Sequence, residues 1–151
     1  MNWKSEAKEK LRRYSAMQQA SVNIPAELER LEIDAQSIRA QSLDSPSVVS
    51  GCSRREDALL DNFVQRQELR RKLEQAESWV KTVQGALGVL TPRDRLILLR
   101  LYIAPEKKAV ERLCSELGIE KSSLYRYRDQ ALYKFTRALY GVEDIEECLL
   151  H

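Results

Sequence analysis

The chain has few of the residues that make turns, catalytic sites or metal sites. Five Gly and four Pro in 151 residues are too few for a fold with many tight turns, so a small number of long helices is favoured. The only histidine is His151, which excludes a Ser–His–Asp or Cys–His catalytic set and a His-ligated metal site within the fold. We therefore expect an all-α protein that is not an enzyme and has no cofactor or bound metal.

The cysteines and apolar residues also lack the patterns of secreted and membrane proteins. Cys52, Cys114 and Cys148 are odd in number and far apart, so neither a disulfide framework nor a zinc ribbon is supported. No apolar run reaches the roughly 18 residues of a membrane span. Residues 1–6 also lack the apolar stretch of a signal peptide. We therefore expect a cytoplasmic protein without a membrane partner.

The net charge of +2 is unevenly distributed along the chain. Residues 1–90 carry +1, residues 91–142 carry +5 and residues 143–151 carry −4. A positive excess confined to one segment favours a polyanionic partner for that segment. The simplest interpretation of the acidic tail, residues 142–151, is a solvated end, and the alternative is an arm that competes with that partner.

Apolar periodicity predicts a helical region over residues 1–90. One helix is expected from residue 2 to about 20, and a second from Pro25 to Arg39, since proline is favoured in the first helical turn. Residues 41–53 are rich in Ser, contain Gly51 and lack a helical period, which predicts a surface loop. Ser53 then starts a capping box before a long helix that runs to Leu90.

This long helix is the candidate oligomerisation element. At about 1.5 Å per residue, a helix from Arg54 to Leu90 extends roughly 55 Å, which is longer than the second helix can cover. Either the first helix or a second copy of the chain would bury the remaining face, so a homodimer is one of two hypotheses. The candidate oligomerisation residues are Leu69, Leu73, Val80, Val83 and Leu87.

Residues 91–141 have the pattern of a helix-turn-helix domain. Thr91 and Pro92 mark a helix start, and the helix has Leu96, Leu98, Leu99 and Ile103 as its core positions. After Pro105, a short helix from Lys108 to Leu117 ends at Gly118, whose freedom to adopt positive φ suits a tight turn. Ile119 would fill the angle between this helix and the next. Apolar positions of the second helix, with Leu124 as the first, would dock it.

The outer face of the second helix carries the candidate DNA contacts. Its N-terminal half presents Lys121, Ser122, Tyr125, Arg126 and Asp129, where a recognition helix offers side chains to base edges, and Arg126 is the best candidate. The helix start suits phosphate, which adds Ser123. Flanking phosphate contacts are expected from Lys107, Lys108, Arg128 and Lys134. The alternative is that the two helices are only a corner of an all-α fold.

Residues 90–102, LTPRDRLILLRLY, followed by this helix-turn-helix, resemble region four of sigma factors, which reads the −35 promoter element. The wider layout resembles the phage and prophage transcriptional regulators of the RinA/ArpU type. The resemblance implies a double-stranded DNA-binding regulator of phage late genes that acts with host RNA polymerase in the bacterial cytoplasm. Glu120 stands where sigma-like modules usually place a capping Ser, so we expect the cap to shift to Ser122.

Two other functions remain open from the sequence. A small terminase subunit, which recognises DNA for packaging, also joins a helix-turn-helix to oligomerising helices. A coiled-coil protein that binds RNA polymerase or a sigma factor without touching DNA would use the basic segment as a protein-docking face.

Overall fold

The computed structural model describes residues 2–44 and 49–142, with the side chains of 42–44 and 49–53 left aside. The helices are α1 (Trp3–Asp44), α2 (Val49–Gly88), α3 (Pro92–Leu98), α4 (Ala109–Leu117) and α5 (Lys121–Tyr140), and a π-helical turn (Leu99–Ile103) continues α3. No β-strand occurs within the described ranges, so the predicted all-α class is confirmed. None of the helices described has the length and apolar character needed to cross a membrane.

The first two predicted helices form the single helix α1. Asn2 caps its start, because the Ser5 amide donates to Asn2 Oδ1 at 3.1 Å. Pro25 lies inside α1, so the predicted helix start at this residue is wrong. Proline removes one backbone donor from a helix, and apolar positions that share one face on both sides of Pro25 offset this cost through packing. The helix-start signal at Pro25 is therefore overridden, because the same face of α1 stays apolar on both sides of this residue.

The predicted loop over residues 41–53 is also wrong for most of its length. α1 continues to Asp44 and α2 begins at Val49, ahead of the predicted capping box at Ser53. Serine in a helix interior is only a few tenths of a kcal/mol less favourable than alanine, roughly 0.5 kcal/mol, so adjoining helices readily extend through a Ser-rich segment. Residues 45–48 of this loop, and residues 143–151 of the predicted acidic tail, lie outside the described residues.

The chain divides into two compact units, and α1 and α2 contribute to both. Within the described residues, the first unit contains 2–17 and 78–142, and the second contains 18–77. In the second unit, Asn62 is buried, and its amide donates to the Leu31 carbonyl at 2.8 Å and accepts from Arg66 Nε at 2.8 Å. This unit leaves several large apolar side chains exposed, namely Val22, Ile33, Leu60, Phe63 and Val64.

The first unit has two hydrophobic clusters, and both include residues of α5. The larger cluster joins α1, the end of α2, the α3 region and α5 through Ala7, Leu11, Tyr14, Val83, Ala86, Leu90, Leu98, Ile103, Ala131, Leu132 and Phe135. The smaller cluster joins α3, α4 and α5 through the buried side chains of Ile97, Leu113 and Leu124. The two clusters together bury one side of α5 along most of its length and so fix which side faces outward.

The π-helical turn changes which residues of the α3 region are buried. The Ala104 amide donates to the Leu99 carbonyl at 2.8 Å, a span of five residues. The wider turn rotates the register, so Leu98 and Ile103 are both buried while Leu99 is 41% exposed. The prediction of Leu99 as a core residue is therefore wrong, and that of Leu98 and Ile103 is confirmed.

Replacing Pro25 by alanine tests the cost of the proline inside α1. We expect Pro25→Ala to raise the free energy of unfolding by up to about 3 kcal/mol, because alanine restores the missing backbone donor. The measurement is urea unfolding followed by far-UV circular dichroism, with Ala26→Gly as a control that should destabilise the same helix. A Pro25→Ala variant less stable than the parent would contradict a helix that is continuous at this residue.

Candidate nucleic-acid interface

The two-helix element of the first unit consists of α4, a turn over residues 118–120, and α5. Gly118 has a φ of +64°, the left-handed conformation predicted for the turn, and its amide donates to the Cys114 carbonyl. The Ile119 amide donates to the same carbonyl at 3.1 Å, and the Ile119 side chain packs against the smaller cluster. The predicted positions of the turn glycine and of Ile119 are therefore confirmed.

The start of α5 has no side-chain cap from its N-cap residue. Glu120 occupies that position with extended backbone (φ −80°, ψ 160°) and makes no capping hydrogen bond, so the predicted shift of the cap to Ser122 is wrong. The first backbone amides of a helix then point outward and carry the positive end of the helix dipole. Lys121 and Ser122 are exposed there and Ser123 is half-buried. Lys121 Nζ lies 3.8 Å from Glu111 Oε1, an exposed pair that leaves the ammonium accessible.

An open groove of about 680 Å³ follows the outer side of α5. Its lining residues are Tyr125, Arg126, Asp129, Gln130, Tyr133, Lys134 and Arg137. The structure therefore brings the predicted Tyr125, Arg126 and Asp129 onto one surface. The sequence analysis missed Gln130 and Tyr133. Their spacing of four and seven residues from Arg126 is the signal that could have found them.

Arg126 is a cation of this groove that, like Arg137, is exposed and has no acidic partner within the described residues. Its side chain is exposed, and within the described residues it has no acidic partner, only the Tyr127 ring 5.5 Å from its guanidinium carbon. Tyr127 is half-buried and packs against the smaller cluster. The guanidinium carbon of Arg93 lies 4.0 Å from the same ring. Tyr127 therefore supports the position of Arg126 from below.

Arg128 and Asp129 are engaged with each other. Arg128 donates to Asp129 Oδ1 through Nε at 3.1 Å and through its terminal nitrogen at 3.0 Å. The Arg128 guanidinium carbon also lies 4.9 Å from the Tyr125 ring, and Tyr125 is 40% exposed. Arg128 is thus engaged by Asp129 and Tyr125, two residues that line the groove, and the DNA contacts of Arg128 and Tyr125 stay predictions.

Lys134 has a structural partner that the sequence did not indicate. Its Nζ donates at 3.2 Å to Oδ2 of Asp94, whose side chain is only 1% exposed. Asp94 Oδ1 is buried without a hydrogen bond, and Arg93 Nε lies 3.8 Å away. The Asp94 amide donates to Thr91 Oγ1 at 3.3 Å, which confirms Thr91 as the N-cap. Lys134 thus ties α5 to the start of α3, a different role from the predicted phosphate contact.

Lys107 and Lys108 lie apart from the start of α5. Both are exposed in the connection before α4, and Lys108 adopts a φ of +58° at the N-cap position. The turn to α5 joins the opposite end of α4, and nine helical residues at about 1.5 Å each separate the two ends by roughly 13 Å. The structure therefore does not join these lysines to the surface that carries Arg126.

A second basic surface comes from α1 and was missed by the sequence analysis. Lys4 Nζ lies 3.9 Å from Asp129 Oδ1, and the Arg12 guanidinium carbon lies 6.0 Å from the Tyr102 ring. Burial lowers the pKa of Lys8, and the positive charges of Lys4, Arg128 and Arg12 lower it further while Asp129 acts in the opposite direction. The spacing of four residues is visible in the sequence, but only the tertiary structure brings these residues beside α5.

The tertiary structure also concentrates the charge. Residues 2–17 and 78–142 of the first unit carry 17 Lys and Arg against 8 Asp and Glu, a net charge of +9. Residues 18–77 of the second unit carry 8 against 11, a net charge of −3. The +5 excess that the sequence shows over residues 91–142 is thus only part of the positive field.

The candidate oligomerisation residues are largely used within the chain. Val83 is completely buried within its own chain, which leaves it unavailable to a second chain. Val80 and Leu87 are half-buried against the larger cluster, and their contact to a second chain stays a prediction. The first half of α1 buries this part of α2, which is the first of the two hypotheses derived from the helix length. Leu69 and Leu73 are half-buried within the second unit.

Within the described residues, no group of three or more His, Cys, Asp or Glu side chains is placed to hold a metal ion. Comparisons with protein-family models, curated proteins and solved structures found no match to this chain.

Removing Lys134 tests its structural role. We expect Lys134→Ala to lower the free energy of unfolding by roughly 1–2 kcal/mol, because the buried Asp94 carboxylate loses its hydrogen-bonded partner and keeps only Arg93 at 3.8 Å. Adding Asp94→Asn to this variant should restore part of the loss, since the remaining amide carries no charge. Urea unfolding of both single variants, the double variant and the parent gives the coupling energy. Additive effects would show that the two side chains do not interact.

Proposed function

We propose that this protein is a sequence-specific DNA-binding transcriptional regulator that reads duplex DNA with the outer side of α5. The observation that carries the proposal is the exposed Arg126, which has no acidic partner within the described residues and lies in a unit whose described residues carry a net charge of +9. Buried core contacts fix the opposite side of α5. A rigid helix with a free, oriented arginine matches what the major groove requires of a recognition helix.

Base recognition rests on two side chains of the groove. The Arg126 guanidinium can donate two hydrogen bonds to O6 and N7 of a guanine. Gln130, one helical turn further on, can pair with N6 and N7 of an adenine. The two residues lie about 6 Å apart along the helix axis, which suits contacts to neighbouring base pairs.

Phosphate contacts supply affinity and register. The outward-pointing amides at the start of α5, together with Lys121 and Ser122, suit one phosphate group at the edge of the groove. Lys107 and Lys108, at the far end of α4, suit phosphates further along the duplex. These contacts are independent of sequence and should weaken with added salt.

The regulatory part of the proposal rests on resemblance. Residues 90–102 and the two helices that follow resemble region four of sigma factors, and the wider layout resembles the RinA/ArpU-type regulators. We therefore infer a phage or prophage regulator that acts on late genes with host RNA polymerase in the bacterial cytoplasm. The chain lacks a segment that resembles sigma region two, so it would help the polymerase at a promoter rather than melt the promoter itself.

The test is selection of preferred sites from a random duplex library, followed by fluorescence anisotropy on the selected site. We expect Arg126→Ala to relax the preference at one base pair by about 1–3 kcal/mol, because one bidentate contact is lost. Arg71→Ala is the matched control, since Arg71 is an exposed arginine of the second unit that pairs with Glu68, and it should leave the preference unchanged. If Arg126→Ala keeps the wild-type preference at every base pair, the assignment of Arg126 as a base-reading residue is wrong.

The same experiment separates the rival functions. Absence of any selected site in the wild-type protein would favour a protein-docking role toward RNA polymerase or a sigma factor. A ring-sized oligomer in analytical ultracentrifugation would favour a DNA-packaging subunit.

A further inference from the structure

Three basic residues of α1 form a stripe along one side of the helix. Lys4, Lys8 and Arg12 recur every four residues, which places them on one side because successive positions differ by only about 40° around the helix axis. We call them the α1 basic stripe. It precedes the two-helix element by about a hundred residues in the sequence, so no local pattern connects the two.

The α1 basic stripe lies against the edge of the α5 groove. Lys4 approaches Asp129, a groove residue, to 3.9 Å, and Asp129 also binds Arg128 at 3.0 Å. Lys8 is close enough to Arg128 for the two charges to affect each other. Lys4 and Lys8 therefore lie beside Arg128 and the groove residue Asp129, and Arg12 follows one turn further along α1, over the Tyr102 ring.

This surface has too few acidic groups to balance its cations. The stripe and Arg128 contribute four positive charges, and within the described residues Asp129 is the only carboxylate at ion-pair distance from them. Close like charges raise the free energy of the folded state unless an anion neutralises them. A polyanion that runs past the groove would bring regularly spaced phosphates to these side chains.

We propose that the α1 basic stripe binds the phosphate backbone of the duplex whose bases α5 reads. The DNA interface is then composite, with base contacts from the C-terminal helix and backbone contacts from the N-terminal helix. This inference rests on the proposed function. It adds that a surface outside the two-helix element contacts the phosphate backbone of the DNA. The stripe contributes affinity and salt dependence, and it carries no sequence preference.

Another pair of cations on the same helix provides a matched control. The Lys10 ammonium lies 4.5 Å from the centre of the Trp79 ring, and the Arg13 guanidinium carbon lies 5.1 Å from it. Lys10→Gln/Arg13→Gln therefore removes the same charge from α1 as Lys8→Gln/Arg12→Gln does. The two pairs differ in their neighbours, since Lys10 and Arg13 lie over a ring of α2, whereas Lys8 lies near Arg128 of α5 and Arg12 lies over the Tyr102 ring.

The experiment measures binding of the full chain to two duplexes of equal length, the selected site and a scrambled sequence, from 50 to 300 mM salt. We expect Lys8→Gln/Arg12→Gln to weaken binding to both duplexes by the same factor. The slope of log K against log salt should fall in magnitude by about 2, since each lost phosphate contact removes about 0.9. The control pair should keep the wild-type slope. Thermal unfolding checks that both variants are folded, and the single variants Lys8→Gln and Arg12→Gln should each lower the slope by about 1.

Two outcomes would overturn the inference. One is a wild-type slope in Lys8→Gln/Arg12→Gln, and the other is an equal loss of slope in the control pair, which would show an effect of total charge alone. Failure of the proposed function has a different signature, because a wild-type protein that reads no sequence binds both duplexes equally. The comparison of slopes still tests the stripe in that case.

Discussion

The packing of the first half of α1 between the end of α2 and α5 is the contact on which the rest of the first unit depends. It buries Leu11 completely and Tyr14 almost completely, and it completes the larger hydrophobic cluster. Hydrogen bonds orient the same segment, since Trp79 Nε1 donates to the Lys10 carbonyl at 3.1 Å and the Ser15 hydroxyl donates to the Ile103 carbonyl at 3.2 Å. The C-terminal helices therefore share one core with residues near the N-terminus.

Because of this shared core, one side of α5 is buried and the other side faces outward. The buried side contacts both clusters, with Leu124 in the smaller one and Phe135 in the larger one. The ion pair between Lys134 and the buried Asp94 ties the middle of the helix to α3. Because these contacts fix the rotation of α5, Arg126 is held outward with little freedom for the helix to turn. A fixed helix is what the proposed reading of base edges requires, since a bidentate contact tolerates small angular errors only.

The same packing explains why the positive charge is stronger in the folded unit than in any segment of the sequence. Residues 2–17 bring five cations against two acids to a module that already has an excess of positive charge. The same packing also explains why a candidate dimer contact is buried within its own chain. Val83 is covered by α1 of its own chain, so the apolar spacing of α2 reports an intrachain core. A heptad pattern indicates that one face of a helix is buried, but it does not indicate whether the same chain or a second chain buries that face.

Local signals in the sequence determined the all-α class, the N-cap at Thr91, the turn at Gly118 and the buried side of α5 that begins with Leu124. Each of these depends on interactions within a few residues, such as a capping oxygen, a positive φ or a helical apolar period. Only the tertiary structure decided that α1 continues through Pro25 and that Leu99 is exposed. Those outcomes depend on packing against residues that are distant in the sequence, and a short stretch of sequence does not show that packing.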